Sequence, residues 1–213
     1  MKRFHFYFRI TITLVLVALL TSFISVNKQG VSHDYRDYVL GPASTLSING
    51  ETNVNSFCCS SQQQFPKGKV GYEMGKDEAT FIFDNTKLKI NTQRLDCGLN
   101  AMNRDLQKTL QSDKYPYITI TLKQASNSEG AKELKNNNWV KFQAVTEITL
   151  CKVTRKVNIP VYIKKTSETG FQIKGSTSLE FKDFNLEAPT AMMGLIKVKD
   201  NLAISFNLDA TLI

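Results

Sequence analysis

The sequence contains few of the residues on which catalytic and metal sites usually depend. Its 213 residues include only two histidines, His5 and His33, which argues against histidine-based catalysis and against most metal centres. Proline and glycine are also scarce, at 5 and 11 residues, while 42% of the chain is hydrophobic. This composition excludes a disordered or collagen-like protein and predicts a single domain with a hydrophobic core. No apolar run reaches the length of about 18 residues that indicates a membrane-spanning helix.

The N-terminus nevertheless has the pattern of an export signal. Lys2, Arg3 and Arg9 precede or flank the start of an apolar run over residues 10–24. A basic start before a run of this length is typical of a secretory signal peptide, which we place at residues 1–25. An uncleaved N-terminal membrane anchor is the alternative. We therefore expect the protein to be periplasmic or secreted.

Removal of this segment changes how the charge is interpreted. The formal net charge falls from +8 to +5, because the segment contains three basic residues and no acidic ones. A modest excess that is dispersed along the chain is typical of a solvated surface and does not indicate nucleic-acid binding.

The four cysteines are Cys58, Cys59, Cys97 and Cys151. An even number in an exported chain makes disulfides plausible, whereas the absence of a C-x-x-C spacing argues against a zinc or thioredoxin-like site. A bridge between the adjacent Cys58 and Cys59 would be strained, so two connectivities remain. We favour Cys59–Cys97 together with Cys58–Cys151. The alternative is that one or both of Cys58 and Cys151 stay reduced.

The dominant periodicity along the chain is two. Four long segments alternate between apolar and polar residues, at 140–150, 157–164, 171–181 and 201–208. Such alternation predicts half-buried antiparallel strands. Shorter candidate strands cover 45–48, 54–60, 69–74, 79–83, 87–92 and 117–124. Turn signals between them include Asn49-Gly50 and Asp84-Asn85.

One segment has helical spacing instead. Its apolar residues are Leu99, Met102, Leu106 and Leu110. These recur at steps of three or four residues, which predicts a helix of about three turns. Asn100 is a candidate N-cap, and Pro116 ends the segment because the residue before a proline disfavours helical geometry. Residues 188–195 are expected to form a turn or a short helix.

These elements predict an all-β fold, either an antiparallel barrel or a sandwich, over residues 36–213. Residues 26–35 are expected to be a flexible N-terminal segment. A closed barrel of about eight strands can be filled by side chains or can hold one small ligand. The inward phenylalanines could therefore pack against one another or line a pocket, and periodicity does not decide between the two.

Four segments, in the same order, resemble characteristic elements of YceI-like proteins. They are residues 44–57 (STLSINGETNVNSF), 102–105 followed by 114–118 (MNRD and KYPYI), 150–161 (LCKVTRKVNIPV), and 181–184 with 196–204. The resemblance extends over residues 36–210. The chain departs from the family pattern where Cys151-Lys152 precede Val153, in place of a glycine, and where Phe181 replaces an arginine.

The resemblance implies a lipocalin-like antiparallel β-barrel of about eight strands with one inserted α-helix. It also implies a non-enzymatic protein that binds, transports or sequesters a long-chain amphiphile, such as a polyisoprenoid or fatty lipid, with no cofactor, metal or catalytic residue. It supports the pairing of Cys59 with Cys97. Transient contact with a membrane surface and a homodimer are further expectations. The alternative is a filled-core envelope protein that acts as a protein-interaction or stress-response module.

The candidate ligand-binding residues of the lumen and its mouth follow from the inward positions and from the helix and the late loop. They are Phe57, Phe81, Phe83, Met102, Ile118, Ile120, Phe142, Ile148, Ile159, Val161, Phe171, Phe181, Phe184, Met192, Met193 and Phe206.

Overall fold

The computed structural model describes residues 34–77, 79–127, 134 and 137–213. The expected signal peptide, His33 and most of the expected flexible segment 26–35 lie outside these residues. The last two residues of that segment, Asp34 and Tyr35, belong to a strand. Among the described residues, no helix is both long and apolar enough to cross a membrane.

The described residues form twelve strands and one α-helix, with three short 3₁₀ segments. The strands are β1 (Asp34–Leu40), β2 (Thr45–Thr52), β3 (Ser56–Ser61), β4 (Gly68–Met74), β5 (Thr80–Asn91), β6 (Leu95–Asp96), β7 (Tyr117–Ser126), β8 (Val140–Leu150), β9 (Val153–Lys165), β10 (Gly170–Glu180), β11 (Thr190–Ala191) and β12 (Ile196–Leu212). The helix is α1 (Asn100–Thr109), and the 3₁₀ segments are Thr92–Arg94, Phe181–Phe184 and Met192–Gly194.

The strands close into an antiparallel barrel. The ring runs β1-β4-β5-β7-β8-β9-β10-β12 and returns to β1 through the pairs Tyr38–Leu212, Val39–Thr211 and Leu40–Ala210. The earlier part of β12 pairs instead with β2, which continues through β3 to β6. The expected eight-stranded barrel with one inserted helix is thus confirmed.

The barrel has two unlike ends. The helix end carries α1, the 3₁₀ segment Phe181–Phe184 and the β8–β9 turn, whereas the loop end carries the connections β4–β5, β7–β8 and β9–β10. A core at the helix end includes Leu95, Leu106 and Phe184, all buried. This core covers that end of the barrel.

The alternation predicted for the strands is visible most clearly in β8, where every second side chain from Val140 to Leu150 is buried. Two predicted turns are not turns. Asn49-Gly50 lies inside β2, and Asp84-Asn85 lies inside β5, where the pairing with β7 shifts between Ile82 and Thr86. Asn85 there has a φ of +51°. The turn-favouring residues of β5 therefore form a bulge, which lets one strand replace the two that the sequence predicted.

The helix begins one residue earlier than the predicted N-cap implies, because Leu99 rather than Asn100 is the N-cap, and Leu99 provides no side-chain cap. The side chain of Asn103, in the first turn, bonds instead to the segment before the helix. Its Oδ1 accepts a hydrogen bond from the Cys97 backbone N–H at 2.7 Å, and its Nδ2 donates to Asp96 at 2.8 Å. This bond to Asn103, with a second from the Gly98 N–H, lowers the pKa of Asp96. Leu106 and Leu110 are buried as predicted, whereas Leu99 is exposed.

The disulfide Cys59–Cys97 is confirmed, but the second predicted bridge is wrong. Cys58 and Cys151 are both free thiols. Alternation along β3 turns Cys58 to the exposed outer face while Cys59 enters the helix-end core. Cys151 lies in the β8–β9 turn, where its thiol donates to the Leu110 carbonyl at 3.1 Å.

Candidate functional site

The loop-end half of the barrel encloses a cavity of about 410 Å³. Its wall is formed by the inward side chains of the ring strands, and Leu134 of the β7–β8 connection also contributes. Leu46, Ile120 and Phe206 border both this cavity and the helix-end core. The cavity is thus a blind pocket whose inner limit is the packed helix end.

Half of the predicted ligand-binding residues line this cavity. They are Phe81, Phe83, Ile120, Phe142, Ile159, Val161, Phe171 and Phe206. Phe81 and Phe142 lie with their ring centroids 6.3 Å apart, tilted by 54°. The inward phenylalanines make contact with one another but leave space between them, so the lumen is not filled.

The other half lie elsewhere. Phe57, Ile118, Ile148, Phe181 and Phe184 belong to the helix-end core or pack against it. Met102 is half-buried on α1, and Met192 and Met193 are exposed in the β11–β12 connection. All of these residues lie toward the helix end, where α1 and the Phe181–Phe184 segment pack. None of them lines the cavity.

Several lining residues were missed. Ala144, Thr146, Ile163, Ile173 and Leu208 line the cavity from strands whose alternation was recognised, so the same inward pattern could have identified them. Tyr38 and Leu40 come from β1, which lies within the predicted barrel domain except for its first two residues but has no clean alternation of its own and was not predicted as a strand.

The few polar groups on the wall are already engaged with the protein. The Thr146 hydroxyl donates to the Val157 carbonyl at 2.9 Å, and the Tyr38 hydroxyl donates to the Lys87 carbonyl at 3.3 Å. Burial raises the pKa of Tyr38, which keeps its hydroxyl protonated. Thr86 donates to the Asp84 carbonyl at 3.2 Å, and the exposed Lys87 is the cation beside these groups. An apolar ligand chain would therefore meet no unpaired buried charge on this wall. The polar groups at Tyr38, Thr86 and Lys87 form one polar corner, which we call the Tyr38–Lys87 corner.

The described residues contain no cluster of three or more histidine, cysteine or acidic side chains that could hold a metal ion. The arrangement that the structure does provide is an apolar, blind cavity walled by antiparallel strands. Such a cavity can hold a hydrophobic chain in place of water.

Comparison with known proteins agrees with this architecture. The model of the YceI-like domain matches residues 43–210. Among solved structures, BcnA from Burkholderia cenocepacia is 17% identical, with a TM-score of 0.59, over 79% of this chain and 96% of that one. A polyisoprenoid-binding domain from Saccharophagus degradans is 14% identical, with a TM-score of 0.63, over 83% of this chain and 98% of that one.

At these identities the structural matches establish the fold alone. No curated protein matches the chain significantly. The family match, by contrast, covers most of the chain and nearly all of the barrel. The chain belongs to the YceI-like family.

Proposed function

We propose that the protein binds a long-chain amphiphile, of the isoprenoid or fatty type, with its chain inside the cavity and its polar end toward the Tyr38–Lys87 corner. The observation that carries this proposal is the blind cavity of about 410 Å³ with an almost wholly apolar wall. Its volume lies within the range of roughly 300–1,000 Å³ that is usual for ligand pockets. A stable domain gains nothing from leaving such a space unpacked, so the space indicates a ligand.

The energetics favour binding without specific polar contacts. Transfer of about ten methylene groups from water into an apolar wall gains roughly 8 kcal/mol, before the costs of association are deducted. A single hydrogen bond contributes only about 1 kcal/mol net. Selection among ligands would therefore depend on chain length and girth. The polyisoprenoid-binding domain from Saccharophagus degradans, which shares the fold, supports an isoprenoid as the first candidate.

We further propose a carrier or sequestering role without catalysis, in the periplasm or outside the cell. The signal-like N-terminus supports export. The Cys59–Cys97 disulfide fits an oxidising compartment.

The first test is organic extraction of the full chain purified from its native host, followed by mass spectrometry against an extract of the same protein pre-washed under denaturing conditions. We expect a stoichiometric long-chain amphiphile in the native extract alone. A protein that yields no such molecule and also fails to bind added geranylgeraniol or palmitic acid would contradict the proposal.

A variant pair then locates the site. Ala144 is buried and its side chain faces the cavity, so Ala144→Phe places a phenyl ring in the ligand's space. Ala203 is exposed on the outer face of β12, so Ala203→Phe adds the same ring outside the barrel. We expect Ala144→Phe to lower the stoichiometry of bound geranylgeraniol several-fold and Ala203→Phe to leave it unchanged. Equal uptake by two folded variants would place the ligand elsewhere.

A further inference from the structure

Two exposed aromatic rings and three lysines lie together on the outer face of the barrel. Trp139 and Tyr162 are 39% and 40% exposed. The Lys174 Nζ lies 4.1 Å from the Trp139 ring centroid and 5.9 Å from that of Tyr162, and the Lys164 Nζ lies 5.0 Å from Trp139. We call these four residues, together with Lys141, the lysine–aromatic patch.

The strand register fixes the charges around this patch. Lys141 and Lys174 lie opposite Tyr162 on its two sides, in β8 and β10. The next outward-facing cross-strand row toward the helix end contains no charged residue from β8 to β12, since it consists of Gln143, Pro160, Ser176 and Ser205. In the row of Lys164 and Gln172, the one carboxylate is Asp209, across from Gln172 on β12. Nearby, Lys165 is paired with Glu168 at 3.3 Å. The patch therefore has a positive excess that the neighbouring strands do not neutralise.

The patch also lies directly behind the proposed ligand site. Ile163 and Ile173 line the cavity, and the residues next to them in β9 and β10, Tyr162, Lys164 and Lys174, face outward. Because neighbouring residues of a strand point to opposite faces, the same strand segments carry the cavity on one side and the patch on the other. A surface that bound the patch would lie beside the loop end of the barrel.

We propose that the lysine–aromatic patch docks on the surface of a lipid bilayer that contains anionic headgroups. Tryptophan and tyrosine have an apolar body and a polar edge, which suits them to the boundary between headgroups and acyl chains. Lysines close to an anionic bilayer are attracted to it. The combination of both residue types on one open face matches that boundary.

The geometry favours a bilayer over a soluble polyanion. An anionic polysaccharide or a single-stranded nucleic acid would bind an aromatic residue by stacking on its ring face. One face of the Trp139 ring is already covered by the ammonium group of Lys174 at 4.1 Å. Partition into a headgroup layer needs no free ring face, so a bilayer can accept the patch as it stands.

The test uses the full chain, because Trp139 is its only tryptophan and reports on the patch alone. Vesicles of phosphatidylcholine are compared with vesicles in which about a third of the lipid is phosphatidylglycerol, each with and without brominated acyl chains. The apolar run at residues 10–24 contains no tryptophan and so gives no signal of its own, and the phosphatidylcholine vesicles control for any tethering of the barrel by that run. We expect a blue shift and bromine quenching of Trp139 with the anionic vesicles, and loss of both in high salt, which screens surface charges.

Two double variants make the test specific. We expect Lys164→Gln/Lys174→Gln to raise the lipid concentration that gives half of the full Trp139 shift by about tenfold or more. Lys89→Gln/Lys156→Gln removes the same charge elsewhere, including a lysine that lies over the Tyr117 ring at the helix end, and should behave as wild type. The Ala144→Phe variant should dock normally although it binds less ligand. A failure of the docking proposal can therefore be distinguished from a failure of the proposed function.

Three results would overturn the proposal. The first is an equal shift with both vesicle types, and the second is an equal loss in the two double variants. The third is a Trp139 shift produced by dextran sulfate when anionic vesicles produce none, which would assign the patch to a soluble polyanion.

Discussion

At the scale of the residue, Cys58 and Cys59 are neighbours in β3 and yet have opposite environments. Cys59 is almost completely buried and bonded to Cys97, whereas Cys58 is an exposed free thiol. Cys151 is a third case, since burial raises the pKa of its thiol and its S–H donates to the Leu110 carbonyl. A raised pKa leaves less thiolate at any given pH, so we regard Cys151 as a structural residue of the helix end.

The Cys59–Cys97 bond should contribute strongly to stability. It joins residues 38 positions apart, and the chain-entropy model assigns about 4 kcal/mol to a loop of that length. We expect Cys59→Ala/Cys97→Ala to lower the free energy of unfolding by this order in urea titrations. The matched control is Cys58→Ser, which alters an exposed thiol in the same strand and should change it by less than about 0.5 kcal/mol. A loss of under 1 kcal/mol in the double variant would mean that the unfolded chain already restrains this loop without the bond.

At the scale of the element, the sequence predicted the long strands well because each has one face inside and one outside. It failed at β5, where Asp84-Asn85 has the composition of a turn but lies in a bulge. A local signal cannot distinguish the two, because the strand is kept continuous by partners outside that segment, namely β7 on both sides of the bulge and β4 up to Asp84. β1 was missed for a related reason, since its partners are β4 and β12, which are distant in sequence.

The candidate site was predictable only in part, and the phenylalanines show why. Periodicity predicts that Phe142 and Phe181 both point inward, which is correct, and both are buried. It does not predict the position of either residue along the barrel axis. That position depends on strand register and on where α1 packs, and these place Phe142 at the cavity and Phe181 in the helix-end core.

The 3₁₀ segment Phe181–Phe184 should therefore stabilise the barrel without forming the ligand site. Phe184 is 2% exposed within the helix-end core, so Phe184→Ala should lower the free energy of unfolding by about 3–5 kcal/mol. The stoichiometry of bound geranylgeraniol per folded molecule should be unchanged. Phe171→Ala is the matched comparison, because Phe171 is half-buried and lines the cavity. Phe171→Ala should lower the free energy of unfolding by less than Phe184→Ala does, as measured by urea titration, and should weaken ligand binding, as measured by extraction. A larger loss of stability for Phe171→Ala, or a larger loss of binding for Phe184→Ala, would contradict the division into a packed end and a ligand site.

At the scale of the whole molecule, the barrel divides into a packed half and a hollow half. The helix-end core combines α1, the disulfide and the Phe181–Phe184 segment, whereas a smaller cluster around Phe142 and Val161 supports the cavity wall. Closure of the ring at β1 depends on three register pairs with β12 and five with β4. The packed half can thus hold the fold together while the hollow half accommodates a ligand, and such a division favours local opening at the loop end.

Hydrogen exchange measured with and without geranylgeraniol would test this division. Amides of β1 and of the first half of β10 border the cavity, so opening their hydrogen bonds locally should release the ligand. We expect their exchange to slow in proportion to ligand saturation. Amides of α1 that exchange through local opening should keep their rates, because that opening leaves the cavity intact. Amides that exchange only through global unfolding should slow by one common factor in both halves, which provides the internal reference. If the ligand slowed the local opening of α1 as much as that of β10, the two halves would be one cooperative unit and the packed core would not act as an independent support for the cavity.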